Sequence, residues 1–171
     1  IDTAIVRIFN TFGPRMRPKD GRAIPAFITQ ALAGAPLTVH GDGSQSRSIC
    51  FVEDLIEGIV RMLHSDLEGP VNLGNPHEVT MLDLAHWIRD LAGSTSEIVF
   101  LPRPVDDPTV RQPDITLART ALDWMPAVPI ADGLARTMRE HGTDSLGIYL
   151  GNPNAHSLGS MTHGIPMIKA L

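Results

Sequence analysis

The stretch from Ile5 to Arg22 constrains this chain most. Ile5-Val6-Arg7-Ile8-Phe9 is rich in β-branched residues and stops at Asn10. A Gly13-Pro14 turn follows, and then a loop carrying Arg15, Arg17, Lys19 and Arg22. The run has the composition and length of a buried strand bounded by turn residues. In open α/β sheets, ligands bind beyond the carboxyl ends of the strands. A strand that ends in an amide and opens into an arginine-rich loop is placed to hold an anionic ligand. The same residues also fit an ordinary strand followed by a solvated basic loop.

Charge narrows the ligand. The 171 residues carry a net charge of −5, which argues against nucleic acid as a general partner. Residues 1–22 nevertheless hold five Lys/Arg against two Asp, a local +3. A basic pocket in an acidic protein points to a small anion. The length suits one domain, and 43% hydrophobic residues can build its core. No apolar run approaches the roughly 18 residues of a membrane span, so no membrane partner is predicted. Residue 1 is Ile and Arg7 interrupts the first apolar run, so no signal peptide is read and the chain looks cut in mid-strand. Cys50 stands alone among apolar neighbours, predicting a buried thiol, no internal disulfide and a cytoplasmic setting.

Strand and helix signals then alternate. Ile24, Phe27, Ile28, Ala31 and Leu32 recur at helical spacing, with Pro25 in the first turn and Gly34 and Pro36 as stops. Leu37–His40 reads as a strand, Gly41-Asp42-Gly43 as a turn and Ser48–Val52 as the returning strand of a hairpin. Arg47, at the polar tip, offers a planar fork suited to a diphosphate. Asp54 is placed to cap a helix over Leu55–His64, whose apolar face is Leu55, Ile56, Ile59, Val60 and Leu63. Val71–Leu73 is a strand. Thr80 with Asp83 approximates a capping box for a helix over Met81–Ala92, ended by Gly93. Trp87 and His86 on that helix serve packing or a wet face. Glu97–Leu101 is a strand, and a proline-rich loop (102–108) follows. Further helices are predicted over Ile115–Leu122, starting at Asp114, and over Ile130–His141. The fold class is α/β.

The blocks RIFNTFGPRMRPKDGR, PLTVHGDGSQSRS and VNLGNP stand in order along the chain. From Val6 to about Glu140 the sequence strongly resembles the C-terminal half of NAD-dependent UDP-glucuronate decarboxylases (UDP-xylose synthases), which are extended short-chain dehydrogenase/reductases. The resemblance implies the C-terminal substrate-binding part of an extended NAD(P)-binding Rossmann-like fold, with the N-terminal dinucleotide-binding half absent. It implies a chemistry in which NAD oxidises the sugar at C4, the C5 carboxylate leaves as carbon dioxide, and the hydride returns. Asn10 and Arg47 would hold the diphosphate of a UDP-sugar, with Gln45 in the same substrate-binding set. Arg111 would face the reacting carbon as the catalytic arginine, unless it pairs on the surface with Asp106 or Asp107. Thr11 and Arg22 would lie near the cofactor, and Arg17 matches by position more than by type. A dTDP-glucose 4,6-dehydratase or a nucleotide-sugar epimerase is the near neighbour, and the 106–114 loop favours the decarboxylase. A homodimer is implied only together with the absent half, whose loss would also expose sheet edge and favour aggregation.

Two departures limit that resemblance. The chain has neither a Gly-rich strand-to-helix turn, since Ser46 follows Gly41-x-Gly43, nor a Tyr-x-x-x-Lys pair, since Tyr149 is followed by Pro153. Alone, it is therefore expected to be inactive, and a non-catalytic binding module is the alternative. Residues 1–141 form the predicted nucleotide-sugar-binding portion. Residues 142–171 are read as an unrelated or disordered tail, resembling a short piece of molybdopterin-dependent oxidoreductases of the formate dehydrogenase type. That tail has no cysteine, and no molybdenum chemistry is assigned to it. Leu-Gly-Asn-Pro occurs at both 73–76 and 150–153. The seven histidines show no metal-ligand spacing, and no Gly-x-Ser-x-Gly elbow is present.

Overall fold

A computed structural model describes residues 3–17, 21–105, 107 and 109–141. Three strand pairs run parallel, as in α/β proteins where helices carry the crossovers. Strand β1 (Ile5–Ile8) pairs with β6 (Pro70–Leu73), with Ile8 opposite Leu73. Strand β2 (Thr11–Phe12) pairs with β5 (Cys50–Phe51), and β3 (Leu37–His40) with β8 (Ile98–Leu101). The fourth pair, β4 (Ser46–Ser48) with β7 (Glu78–Thr80), is antiparallel. The helices are α1 (Ala23–Leu32), α2 (Val52–Leu63), α3 (Met81–Leu91), α4 (Thr116–Ala121) and α5 (Ile130–His141).

Elements with strong local signals form where the sequence places them. In α1, Ile24, Phe27, Ile28 and Ala31 face the core. The Gln30 amide clasps Thr38, donating to its hydroxyl at 2.8 Å and accepting from its N–H at 3.1 Å, which fixes α1 on β3. The capping box of α3 is complete: Asp83 N–H donates to Thr80 Oγ1 at 3.0 Å, and that hydroxyl donates to Asp83 Oδ2 at 2.6 Å. Gly93, with φ +59°, supplies the left-handed residue after α3.

Five local expectations are corrected. The predicted buried strand is a strand, but Ile5 and Ile8 are 53% and 57% exposed, because among the described residues β1 is paired along one edge only. The predicted hairpin does not form: β3 takes β8 as its partner and β4 takes β7, so contacts distant in sequence displace the local turn-back. Helix α2 begins at Val52, ahead of the predicted start, and Asp54 is not its cap. Asp54 lies buried in the first turn, accepting from the N–H groups of Ala127 and Val128 at 3.2 and 3.0 Å. The predicted apolar face of α2 turns only Leu55 inward; Ile56, Ile59, Val60 and Leu63 remain exposed. Helix α4 is shorter than predicted, and Asp114 precedes rather than caps it. Bonds from the Thr116 hydroxyl and N–H hold the Asp114 carboxyl below the usual carboxylate range.

The core has two parts. One joins Phe12, Phe27, Leu37, Phe51, Ile88 and Leu134 across α1, β3, α3 and α5. Phe12 and Phe51 meet edge to face, with ring centroids 5.5 Å apart, and the Arg136 guanidinium lies 4.8 Å above Phe51. The other part gathers Cys50, Met62, Val71, Leu73, Ala118 and Trp124 beneath α2. Gly58 makes this packing possible, since a Cβ there would stand 2.9 Å from Trp124 Cε2 and from Leu73 Cδ1.

The Cys50 thiol is fully buried, as predicted, and is pushed up to about 12, chiefly by burial and then by the Asp54 charge. Its folded value lies above the ordinary 9.0, so its contribution to stability is complete below about pH 9 and is lost as pH rises toward 12. Native protein at about pH 8 is expected to leave Cys50 unmodified by a chromogenic disulfide reagent, with one thiol appearing in urea. Rapid labelling of the native chain would contradict this burial.

Candidate functional site

Main-chain bonds set the carboxyl end of β1. Phe9 N–H continues the ladder to Leu73 O at 3.1 Å, and Asn10 O accepts from Cys50 N–H at 2.8 Å. The Thr11 hydroxyl donates back to Phe9 O at 2.9 Å. Asn10 is thereby held at the point where the chain passes from the β1–β6 pair to the β2–β5 pair. Beside it opens a cleft of about 450 Å³. Asn10, Thr11, Arg22, Gln45, Arg47 and Arg111 all line it, so the structure brings together the six residues assigned to substrate and cofactor, while Arg17 is not among its lining residues. Phe27, Ile49, Met81 and Leu84 form its apolar wall. A second cleft of about 430 Å³ shares Asn10, Thr11, Arg22 and Arg111 with the first.

Each polar group is differently restrained. Gln45 is 3% exposed; its amide N–H donates to His40 O at 2.7 Å, while its Oε1 is buried without a partner. Such an orphaned acceptor in a polar cleft is a place for a ligand donor or a water. Arg47 projects from β4, donates to Ser46 O at 2.6 Å and pairs with the Asp107 carboxylate. Arg103 approaches the same carboxylate, with Nε 3.4 Å from Oδ2. The surface pairing of Arg111 with Asp107 is therefore not formed. The Arg111 side chain stays exposed at the cleft, while its carbonyl accepts from Ser48 N–H at 3.2 Å. Asp106 lies outside the described residues.

Sequence reasoning passed over His40, Arg103 and Asp107 as site residues. His40 is the last residue of the parallel strand β3, much as Asn10 follows the end of β1, and that position was the available signal. The ring Nδ1 of His40 lies 3.1 Å from Pro102 O, tying Pro102 to the cleft wall. Among the described residues, no cluster of His, Cys, Asp or Glu is suited to a metal ion, and no helix is long and apolar enough to cross a membrane.

Residues 1–74 match the NAD dependent epimerase/dehydratase family. This first part of the chain is similar to members of that family. Five of the six site residues lie inside the matched segment, and Arg111 lies beyond it. Curated relatives extend the likeness. UDP-glucuronic acid decarboxylase 1 of Danio rerio is 48% identical over 139 residues, which is 81% of this chain and 33% of that protein. UDP-glucuronic acid decarboxylase 4 of Arabidopsis thaliana is 46% identical over 140 residues, 82% of this chain and 32% of that protein. This chain thus spans about a third of the length of these relatives. Among solved structures, UDP-glucuronic acid 4-epimerase from Bacillus cereus, in complex with UDP-glucuronic acid and NAD, superposes with a TM-score of 0.74 at 32% identity. That match covers 85% of this chain and 45% of the epimerase chain. The predicted α/β, Rossmann-like fold of this family is the fold observed. The tail from residue 142, with its molybdopterin-type resemblance and its proposed boundary, lies outside the described residues.

Proposed function

We propose that these residues form the nucleotide-sugar-holding part of a UDP-glucuronate decarboxylase. The observation that carries the reading is the convergence of Asn10, Gln45, Arg47 and Arg111 on one cleft at the carboxyl ends of β1 and β3. The identity to proteins named UDP-glucuronic acid decarboxylase, 48% and 46%, exceeds the 32% shared with the epimerase and supports decarboxylation over epimerisation. Arg47 and Asn10 hold the diphosphate, Gln45 directs its unpaired Oε1 to the bound nucleotide, and Arg111 meets the sugar carboxylate. Arginine suits both anions, because its fork matches two oxygens at once and stays charged throughout.

The residues present fit NAD at one margin. Thr11 and Arg22 line both clefts and would border the cofactor where it meets the sugar. When bound, NAD supplies the oxidation at C4 and the return of the hydride. The glycine-rich turn and Tyr-x-x-x-Lys pair that such chemistry needs are not among these 171 residues, so turnover requires groups beyond them.

Calorimetric titration tests the reading. UDP-glucuronate is expected to bind more tightly than UDP-glucose, by about tenfold for one charge-assisted contact. Arg111→Ala should erase that difference while leaving UDP affinity nearly constant. Equal affinity for the two sugars in the unaltered chain would favour a neutral-sugar epimerase, and no binding of UDP would remove the nucleotide-sugar reading.

A further inference from the structure

Two guanidinium groups in the cleft converge on one carboxylate of the protein itself. Arg47, only 13% exposed at its side chain, pairs with Asp107 Oδ1, while Arg103 Nε lies 3.4 Å from Oδ2. Further hydrogen bonds hold Asp107 and Thr109 in place. Arg103 donates to Asp107 O at 2.9 Å and to Thr109 Oγ1 at 3.3 Å, and Ser46 N–H donates to Thr109 O at 3.0 Å. Asp107 therefore sits beside the very arginine that the proposed function assigns to the diphosphate. A carboxylate and a phosphate compete for the same donors of a guanidinium fork.

We infer that Asp107 is an internal competitor for the anion site, pairing with Arg47 when the diphosphate is absent and held by Arg103 alone when it is present. The inference rests on the nucleotide-sugar reading above and adds a determinant of affinity to it. Arg103 gives the displaced carboxylate somewhere to stay. Its Nε is buried and has no hydrogen-bond acceptor, so it can take up the charge that Arg47 releases. The apparent affinity for UDP is then the intrinsic affinity reduced by the fraction of molecules in which Arg47 is free. A partly exposed pair of this kind changes an equilibrium by about fivefold.

The test is the sign of two substitutions, read by calorimetric titration of the chain with UDP. Asp107→Asn, which keeps shape and removes charge, is expected to tighten binding about fivefold. Arg103→Met is expected to weaken it, because the carboxylate is left with Arg47 as its only partner. Far-UV circular dichroism and the urea midpoint check that each variant folds. If Asp107 merely positioned Arg47, Asp107→Asn would weaken binding or leave it unchanged, and either result overturns the inference. Binding by the unaltered chain with no gain in Asp107→Asn rejects the competitor role alone. An absence of UDP binding in both rejects the nucleotide-sugar reading and the inference with it.

Discussion

Trp124→Ala is expected to destabilise the protein by about 3–5 kcal/mol, the usual cost of emptying a large aromatic site in a core. Trp124 is 1% exposed and fills the space among Leu73, Met62 and Ala118 beneath α2. Its indole N–H donates to Asp54 O at 2.9 Å, joining residues 70 positions apart. The neighbouring Asp54 carboxylate accepts from Ala127 and Val128, so the segment after Trp124 is pinned to the same turn of α2. Alanine would leave a cavity where Gly58 offers no side chain to relax into it. At a urea dependence of about 1–3 kcal/mol per molar, the unfolding midpoint should fall by more than 1 M. Trp124→Phe keeps most of the apolar volume and loses the donor, and should cost about 1–2 kcal/mol. A midpoint in Trp124→Ala within a few tenths molar of the unaltered chain would refute this view of the core.

Arg47→Ala is expected to weaken UDP binding at least tenfold, since a charge-assisted contact to an anion contributes about 1.5–3 kcal/mol. Arg47→Lys should recover little, because a point charge cannot reproduce two parallel N–H donors. The loss should appear in affinity and not in folding. The Arg47–Asp107 pair is partly exposed, and Asp107 retains Arg103 when Arg47 is removed. Titration of UDP against both variants, beside their urea midpoints, separates the two effects. An unchanged affinity in Arg47→Ala would sink the assignment of the diphosphate to this residue.

Local chemistry made much of the fold legible in advance. The helix α5 runs from Ile130 to His141 as its periodicity predicts, and Thr80 with Asp83 marks the start of α3 through a bond spanning three residues. These features depend on neighbours within a turn of the chain, so the sequence carries them directly. The candidate site was legible in another way. Asn10, Gln45, Arg47 and Arg111 were selected by resemblance, and nothing in their spacing said that residues up to a hundred positions apart would share one cleft. Most of the failures lie at contacts distant in sequence. The turn at 41–43 suggested a hairpin, yet β4 found β7. Asp54 had the composition of a cap, yet its carboxylate went to a segment more than 70 residues away. Asp107, offered with Asp106 only as an alternative partner for Arg111, is the partner of Arg47.

By itself, then, the sequence determined most of the strands and all five helices, where several of them begin and end, and that positive charge gathers at the end of the first strand. Only the tertiary structure decided how the strands pair, that β1 and much of α2 stand exposed, and which carboxylate meets which arginine. The physical reason is that periodicity and capping are satisfied within a few residues. Strand pairing, burial and ion pairing are settled by whichever distant group the folded chain brings within hydrogen-bonding reach.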